Sequence, residues 1–421
     1  MDLFSALQTS VSGLKAQSYA ISNISGNIAN SQTVGYKGID TSFVDLMSQT
    51  TPSKEVSGSV IAQSQLTNTI AGSVTSTSTP TNMAITGSGF FTVVQKTGDA
   101  NGASTFSGTT AYTRRGDFSQ DKDGYLVNGA GGYLTGTNLD PATGQTTSTG
   151  LIKLGNVSLP AQATTTITYA ANLPATPTVD STADPANSIV GPSLTAYTAT
   201  GAPLTINTRW VQTTSGSAGG GQATWNLYYN SSTTSTANWT KTGPDFTFDS
   251  TGALTSPTGG SATLSNVAIG DYTFPSLKLD ISGGLTQYAD STGAATTNAL
   301  SQNGNSSGTL TSVAVGSDGK INGTFSNGSV VALAKVGIAQ FANPDGLQAD
   351  SNGNYLQTAD SGSPLSGLNG STITGSSVEG SNADIATEFS KMIVTQQAYS
   401  ANTRVMSTAQ TMMSDLLNVI R

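Results

Sequence analysis

Cysteine and histidine are both missing from this 421-residue chain. Without cysteine there are no disulfides, thiolate nucleophiles or zinc–thiolate sites, and the redox compartment stays open. Without histidine the commonest general base, the usual triad base and the commonest metal ligand are gone together. An enzyme built on this chain would have to work with carboxylate, Lys, Tyr or Ser side chains alone. Charge is scarce too: charged residues make up 10 % of the chain, with a formal net charge of -8. That acidic balance argues against nucleic acid or an anionic membrane as a partner. No apolar run reaches the ~18 residues that a membrane span needs, so no membrane insertion is expected. No basic stretch followed by a continuous apolar run opens the chain, so no ordinary signal peptide is expected.

What is present is glycine, 48 residues of it, with abundant Ser, Thr, Asn and Ala and a hydrophobic content of 36 %. The composition is not that of a disordered chain, because strand-like runs recur and net charge is low. The two ends differ from everything between them. From Ile385 a 4-3 spacing runs through Phe389, Met392, Tyr399, Met406, Met413, Leu417 and Ile420, with Gln396, Thr403 and Gln410 as the polar exceptions. Neither Pro nor Gly interrupts it, so it reads as a helix with a narrow coiled-coil seam. Ser381, Asn382 and Asp384 offer capping side chains, and Glu388 sits in an early turn where negative charge suits the helix dipole. At the other end Phe4, Leu7, Val11, Leu14, Ile21 and Ile28 repeat the same step, with Ser18 and Ser25 interrupting. The simplest reading is a two-helix hairpin that staples the termini. Two helices alone leave most of each stripe uncovered, however, so these residues are expected to pack between copies of a polymer.

Between the ends the pattern is β. The run 84–94 reads as strand, glycine bend and strand, and Asp121-Lys122-Asp123-Gly124 as a hairpin turn. An EF-hand there fails, because Tyr125 and Val127 stand where ligands belong and Gly132 where the closing Glu should be. Further strand candidates are 205–211, 223–229, 246–248 and 277–281, then 310–315, 321–325, 330–334 and 336–341. Ser317-Asp318-Gly319 and Ser326-Asn327-Gly328 supply turn chemistry between the last of these. The expected fold is mainly β with a terminal α-helical coiled coil. It is a nested multidomain rod, with discontinuous β domains and the N- and C-terminal helices packed together. Its expected parts are a helical domain of 1–30 with 381–421, a connector of 31–80 with 361–380, a β domain of 81–136 with 285–360, and an inserted outer β domain of 137–284. No catalytic, cofactor-binding or metal-binding residues are expected.

The residues also carry a resemblance. Ser12-Gly13-Leu14, Asn27-Ile28-Ala29-Asn30, Thr33 and Gly35-Tyr36-Lys37 open it; Ala84-Ile85, Gly87 to Phe91, Arg114 with Gly116 and Phe118, and Asp123-Gly124 continue it. Ser326-Asn327-Gly328, Phe341-Ala342-Asn343, Asp345-Gly346-Leu347, Gly380-Ser381-Asn382, Met392-Ile393-Val394, Gln396, Tyr399 and Ala401-Asn402 complete it. With these motifs the chain resembles the axial rod and hook protein family of the bacterial flagellum, most closely its flagellar hook proteins. Tyr36 replaces the usual Phe, and Gln397 the Arg often found before the Tyr. The resemblance implies a curved hollow tube outside the cell, a universal joint that transmits motor torque from rod to filament. It implies a homopolymer whose partners are flagellar rod proteins, the hook cap, the hook–filament junction proteins and the export apparatus, and it implies no cofactor. Distal rod proteins share the end motifs but are generally shorter. Two rival readings come from other classes: a secreted β-rich adhesin with a closed helical oligomer, and a carbohydrate-active enzyme using Asp117, Asp121 and Asp123.

Overall fold

Pro and Gly are absent from 385–419, and there the chain forms one helix, α2 (Ile385–Val419), of 35 residues and on the order of 50 Å long. Asp384 caps it: its Oδ1 accepts from the Thr387 amide at 2.8 Å, and its carbonyl accepts from the Glu388 amide. The other helix, α1 (Leu3–Ala29), ends in a knot of local acceptors. The Asn30 side-chain amide and backbone N–H both donate to the Gly26 carbonyl, and Ser31 Oγ donates to that of Ile28, which satisfies carbonyls that a helix end leaves free. The computed structural model describes residues 3–46, 59–100, 103–155, 157–177, 185–215, 223–234 and 236–419. Most of the remaining structure is β, and the two helices pack against each other.

The chain divides into two units, the second interrupting the first in sequence: Val157–Leu310 with Phe325–Ser329 form the second, and the rest the first. In the first unit a hairpin of Ile39–Leu46 and Ser59–Leu66 pairs antiparallel from Ile39↔Leu66 to Leu46↔Ser59 and lies against α1. The sequence gives this segment little apolar alternation, and long-range pairing decides it. The main sheet of the unit is built on Phe90–Ala100, flanked by Ala103–Thr113 on one side and Gly132–Leu139 on the other. Beyond Ala103–Thr113 it continues through Tyr355–Leu356 and ends at the edge strand Gln348–Ala349. Phe90, Tyr112, Phe341, Leu347 and Tyr355 form its aromatic core, with Tyr112 and Phe341 edge-to-face at 4.7 Å. The Asp121–Gly124 turn is a hairpin tip: Asp121 exchanges backbone bonds with Gly124 and Tyr125, and Gly124 takes φ 87°.

The second unit has two sheets around one core. One sheet runs in the order Ile189–Tyr197, Pro203–Thr214, Ala223–Asn230, Trp239–Phe248 and Leu254–Ser256, all antiparallel. In the other, Ser261–Ile269 pairs with Tyr272–Asp280, and Thr166–Asn172 joins by a parallel contact. Trp210, Trp225, Phe246 and Phe248 are fully buried between them, and Trp210 Nε1 donates to Tyr169 Oη at 3.3 Å. The alternating burial of these strands explains why they were readable as strands.

Turn carboxylates occur in both units. Local amides and hydroxyls hold several of them below the usual range: the Ala142 amide at Asp140, the Thr251 hydroxyl at Asp249, the Thr387 amide at Asp384. A carboxyl whose folded value lies below its unfolded one, about 3.9 for Asp, contributes stability above that value and loses it as pH falls through the folded value. With no histidine to titrate, the thermal midpoint is expected to stay level from about pH 5 to 8 and to fall below about pH 4. A scan of melting temperature against pH checks this, and a step near pH 6 would contradict it.

Candidate functional site: a helical face above a buried polar junction

The helices do not meet through their largest apolar side chains. The helix residues buried by packing on each other and on the hairpin are Ser10, Gly13, Ala16, Ala20, Ile24 and Asn27 of α1 and Glu388, Thr395 and Ala409 of α2, with Asn27 bonded to Glu388 across the pair. Gly13 lies against the Asn402 side chain so closely that an added Cβ would sit 3.0 Å from it. Small residues let two backbones approach, and larger side chains then stay outside the contact. Leu7, Val11, Leu14, Ile21 and Ile28 are accordingly only half-buried, as are Met392, Met406 and Met413, and Ile385, Phe389 and Tyr399 are exposed. Nothing is described of the Phe4 and Leu417 side chains, and Ile420 lies outside the described residues.

At about 100° per residue, the exposed apolar residues of α2 fall on two flanks of that contact. Ile385, Phe389, Ile393 and Tyr399 occupy one flank; Val394, Val405 and Met412 occupy the other. Val394 is 65 % exposed and Ile393 55 %. Beside Val394 an open groove of about 450 Å³ runs between the helices and the hairpin, walled by Ile24, Ile39, Phe43 and Thr395. A contiguous exposed apolar surface of this kind is the feature that interaction sites share.

Beneath the face lies the junction where the motif residues collect. Asn27, buried at the end of α1, uses its whole amide: Nδ2 donates to the Ile39 carbonyl and to Glu388 Oε2, each at 3.0 Å, and Oδ1 accepts from the Ile39 amide and Tyr36 Oη. Glu388 in turn accepts from Lys391 at 2.8 Å, and Lys391 also reaches Asp40 at 2.7 Å. Burial opposes the Lys391 charge, but its bonds to these carboxylates hold its pKa above the ordinary value. Burial, and then Glu388, push the Tyr36 hydroxyl up. Asn382 ties the hairpin base to the start of α2, accepting from the Gly38 amide at 2.7 Å and donating to Thr67 and Ile70. Ser381 Oγ accepts from the Ala383 amide, while Ile28 and Ala29 face outward from the junction. Gly35 takes φ +68°, and an added Cβ would come within 2.5 Å of the Arg115 backbone, so no other residue fits there without strain.

Glu379 is the centre of a second buried cluster. Its Oε1 accepts from Lys37 Nζ at 2.6 Å and from the Gly72 amide at 2.9 Å, and its Oε2 accepts from Arg114 at 3.2 Å. Arg114 also donates to the Ile85 and Gly87 carbonyls and lies over the Phe90 ring. Burial draws the pKa values of both Lys37 and Arg114 down, against the pull of Glu379. Sequence reasoning missed Glu379, and it read Glu388 only as a partner of the helix dipole. The available signal was its isolation: Glu379 is the only charged residue between Asp360 and Asp384, and a lone charge in so uncharged a segment calls for a partner. Asp117 is held by Arg115, Asp121 accepts from the amides of its own turn, and Asp123 pairs with Lys122. Among the described residues no helix is long and apolar enough to cross a membrane.

Comparison with known proteins gives three family matches: "Flagella basal body rod protein" over 7–37, "Flagellar hook protein FlgE/F/G D1 domain" over 84–171, and "Flagellar basal body rod FlgEFG protein C-terminal" over 374–419. The flagellar hook protein FlgE of Brucella abortus is 33 % identical over 435 residues, covering 100 % of both chains. That of Salmonella typhimurium is 30 % identical over 422 residues, covering 97 % of this chain and 98 % of its own. The crystal structure of Helicobacter pylori flagellar hook protein FlgE2 shares the fold with a TM-score of 0.51 at 16 % identity, over 71 % of this chain and 98 % of that one.

Proposed function

Because this chain belongs to the flagellar hook protein family and is a structural subunit of the bacterial flagellum's hook, we propose that α1 and α2 form a coiled coil whose uncovered flanks join one subunit to the next. A polymer that grows by repetition needs a heterologous interface, one patch meeting a different patch on the next copy. The observation that carries the reading is the pair of exposed apolar flanks on α2, separated by a face already used within the chain. Each buried large apolar side chain contributes roughly 1.5–3 kcal/mol before ordering costs. Phe4, Leu7, Val11, Leu14, Ile21, Ile28 and the α2 stripe from Ile385 to Ile420 would share that interface. The motif residues Asn27, Asn30, Gly35, Tyr36, Lys37, Ser381 and Asn382 would fix how the helices leave the β structure.

In this reading the helical domain of 1–30 with 381–421 lines a curved tube, and the connector and the β domains, including the inserted one, lie outside it. The tube works as a universal joint that carries motor torque to the filament. Weakly charged Thr/Ser/Gly surfaces give outer contacts that shift with few ion pairs to break. The polymer would meet flagellar rod proteins at one end, and the hook cap and then junction proteins at the other, with subunits supplied through the flagellar export apparatus.

Electron microscopy of the purified chain under salting-out conditions tests the reading, beside a version lacking residues 1–30 and 381–421. Curved hollow tubes are expected from the full chain alone. Closed particles, or tubes from both, would remove the helices from this role.

A further inference from the structure

A second recess, of about 370 Å³, lies in the first unit between the segment leaving α1 and the hairpin that follows the edge strand Gln348–Ala349. Asn30 and Tyr36 line one wall, and Ala349, Ser351 and Asn354 the other. Asn354 is fully buried, yet neither its Nδ2 nor its Oδ1 has a hydrogen-bond partner among the described residues. A buried amide left so is costly, on the order of 1–3 kcal/mol, and native chains rarely keep one without a use.

We infer that this recess accepts an extended backbone segment from a second copy of the chain. The inference rests on the polymer reading above. A side-chain amide presents one donor group and one acceptor, the complement of a peptide unit. The sheet also stops at this rim, and among the described residues Gln348–Ala349 has a strand neighbour on one side only, so an added strand finds an open edge as well as the amide. The opposite wall continues directly from α1, whose half-buried apolar stripe is part of the proposed subunit contact. An arriving copy therefore meets the recess and the helical face as one surface. On assembly the segment supplies the partners that the amide lacks.

Two measurements test this. Asn354→Leu removes both polar atoms at similar volume. Its monomer is expected to melt no lower than the parent, because an unpaired amide is lost, while the critical concentration for tube formation rises about tenfold or more. The chain has no cysteine, so Ser351→Cys places a single thiol on the exposed rim. That thiol is expected to react with a maleimide in the monomer and to be protected in preformed tubes, while a control thiol at exposed Ser250 stays reactive. If the Asn354→Leu monomer melts lower at an unchanged critical concentration, the amide serves only the fold of the subunit, and the inference is wrong. If that variant does not fold, the thiol decides alone: equal reactivity in monomer and tube overturns the inference while leaving the polymer intact. Failure of the parent chain to form any tube overturns the polymer reading, and this inference with it.

Discussion

Glu379→Ala is expected to destabilise the first unit by about 3–5 kcal/mol, the cost of leaving a buried charge without its partner. Two cations depend on this carboxylate: Lys37, with a side chain that is 0 % exposed, and Arg114 at 3 %. Removing it strands both in surroundings that already draw their pKa values down. The Gly72 amide loses its acceptor as well. Both helices belong to the first unit, whereas Trp210, Trp225 and Trp239 belong to the second. Helical circular dichroism during urea denaturation therefore reads the damage, and tryptophan fluorescence reads the second unit separately. The triple variant Glu379→Leu, Lys37→Met, Arg114→Met is expected to recover most of the loss, since an apolar replacement of a whole buried ionic cluster is often near neutral. An unchanged helical midpoint in Glu379→Ala would show that water already reaches the cluster.

The second large effect concerns assembly and leaves the subunit alone. Ile393→Asp and Val405→Asp each put a carboxylate on an exposed flank of α2. Either change should alter monomer stability by no more than about 0.5 kcal/mol. Either should abolish tube formation, because the charge would have to be buried against an apolar neighbour. The two variants differ in which flank they spoil. If one flank of a copy meets the opposite flank of the next, a mixture of the two makes one good contact and stops at pairs. Sedimentation of each variant and of the mixture distinguishes the cases. Tubes from Ile393→Asp at the parent's concentration would exclude that flank from the interface.

Much of this architecture was legible in the sequence. The uninterrupted 4-3 spacing from Ile385 and the absence of Pro and Gly gave α2, and alternation in segments such as Ala223–Asn230 gave strands. The hairpin of Ile39–Leu46 and Ser59–Leu66 was hidden, because Thr41, Ser42, Gln63 and Ser64 mask any periodic signal and its pairing crosses a gap in sequence. The helix contact was hidden for a different reason. Apolar periodicity weights large side chains, whereas the residues buried within the chain are mostly small ones, Gly13, Ala16 and Ala20 on α1 and Thr395 and Ala409 on α2. The stripe visible in the sequence is therefore the one left outside. Of the polar junction, Asn27, Lys37 and Asn382 carried a family signal, and Asp384 a capping one. The partner Glu379 had neither, since a single carboxylate's burial depends on two cations distant in the chain.

The bond from Asn27 to Glu388 joins residues 361 positions apart, which gives synthesis itself a role. Translation makes α1 first and its partner last, with all of the β structure between them. Until the final residues are made, α1 has only the hairpin beside it and lacks its helical partner, and contacts this distant form late. A message cut short anywhere in the β region yields a chain whose first helix never finds α2. Such a chain lacks α2 and, on the reading proposed above, the flanks that would meet the next copy. Closing the chain on its own beginning thus makes the helix pair a property of the whole chain, since neither helix has its partner until translation is complete.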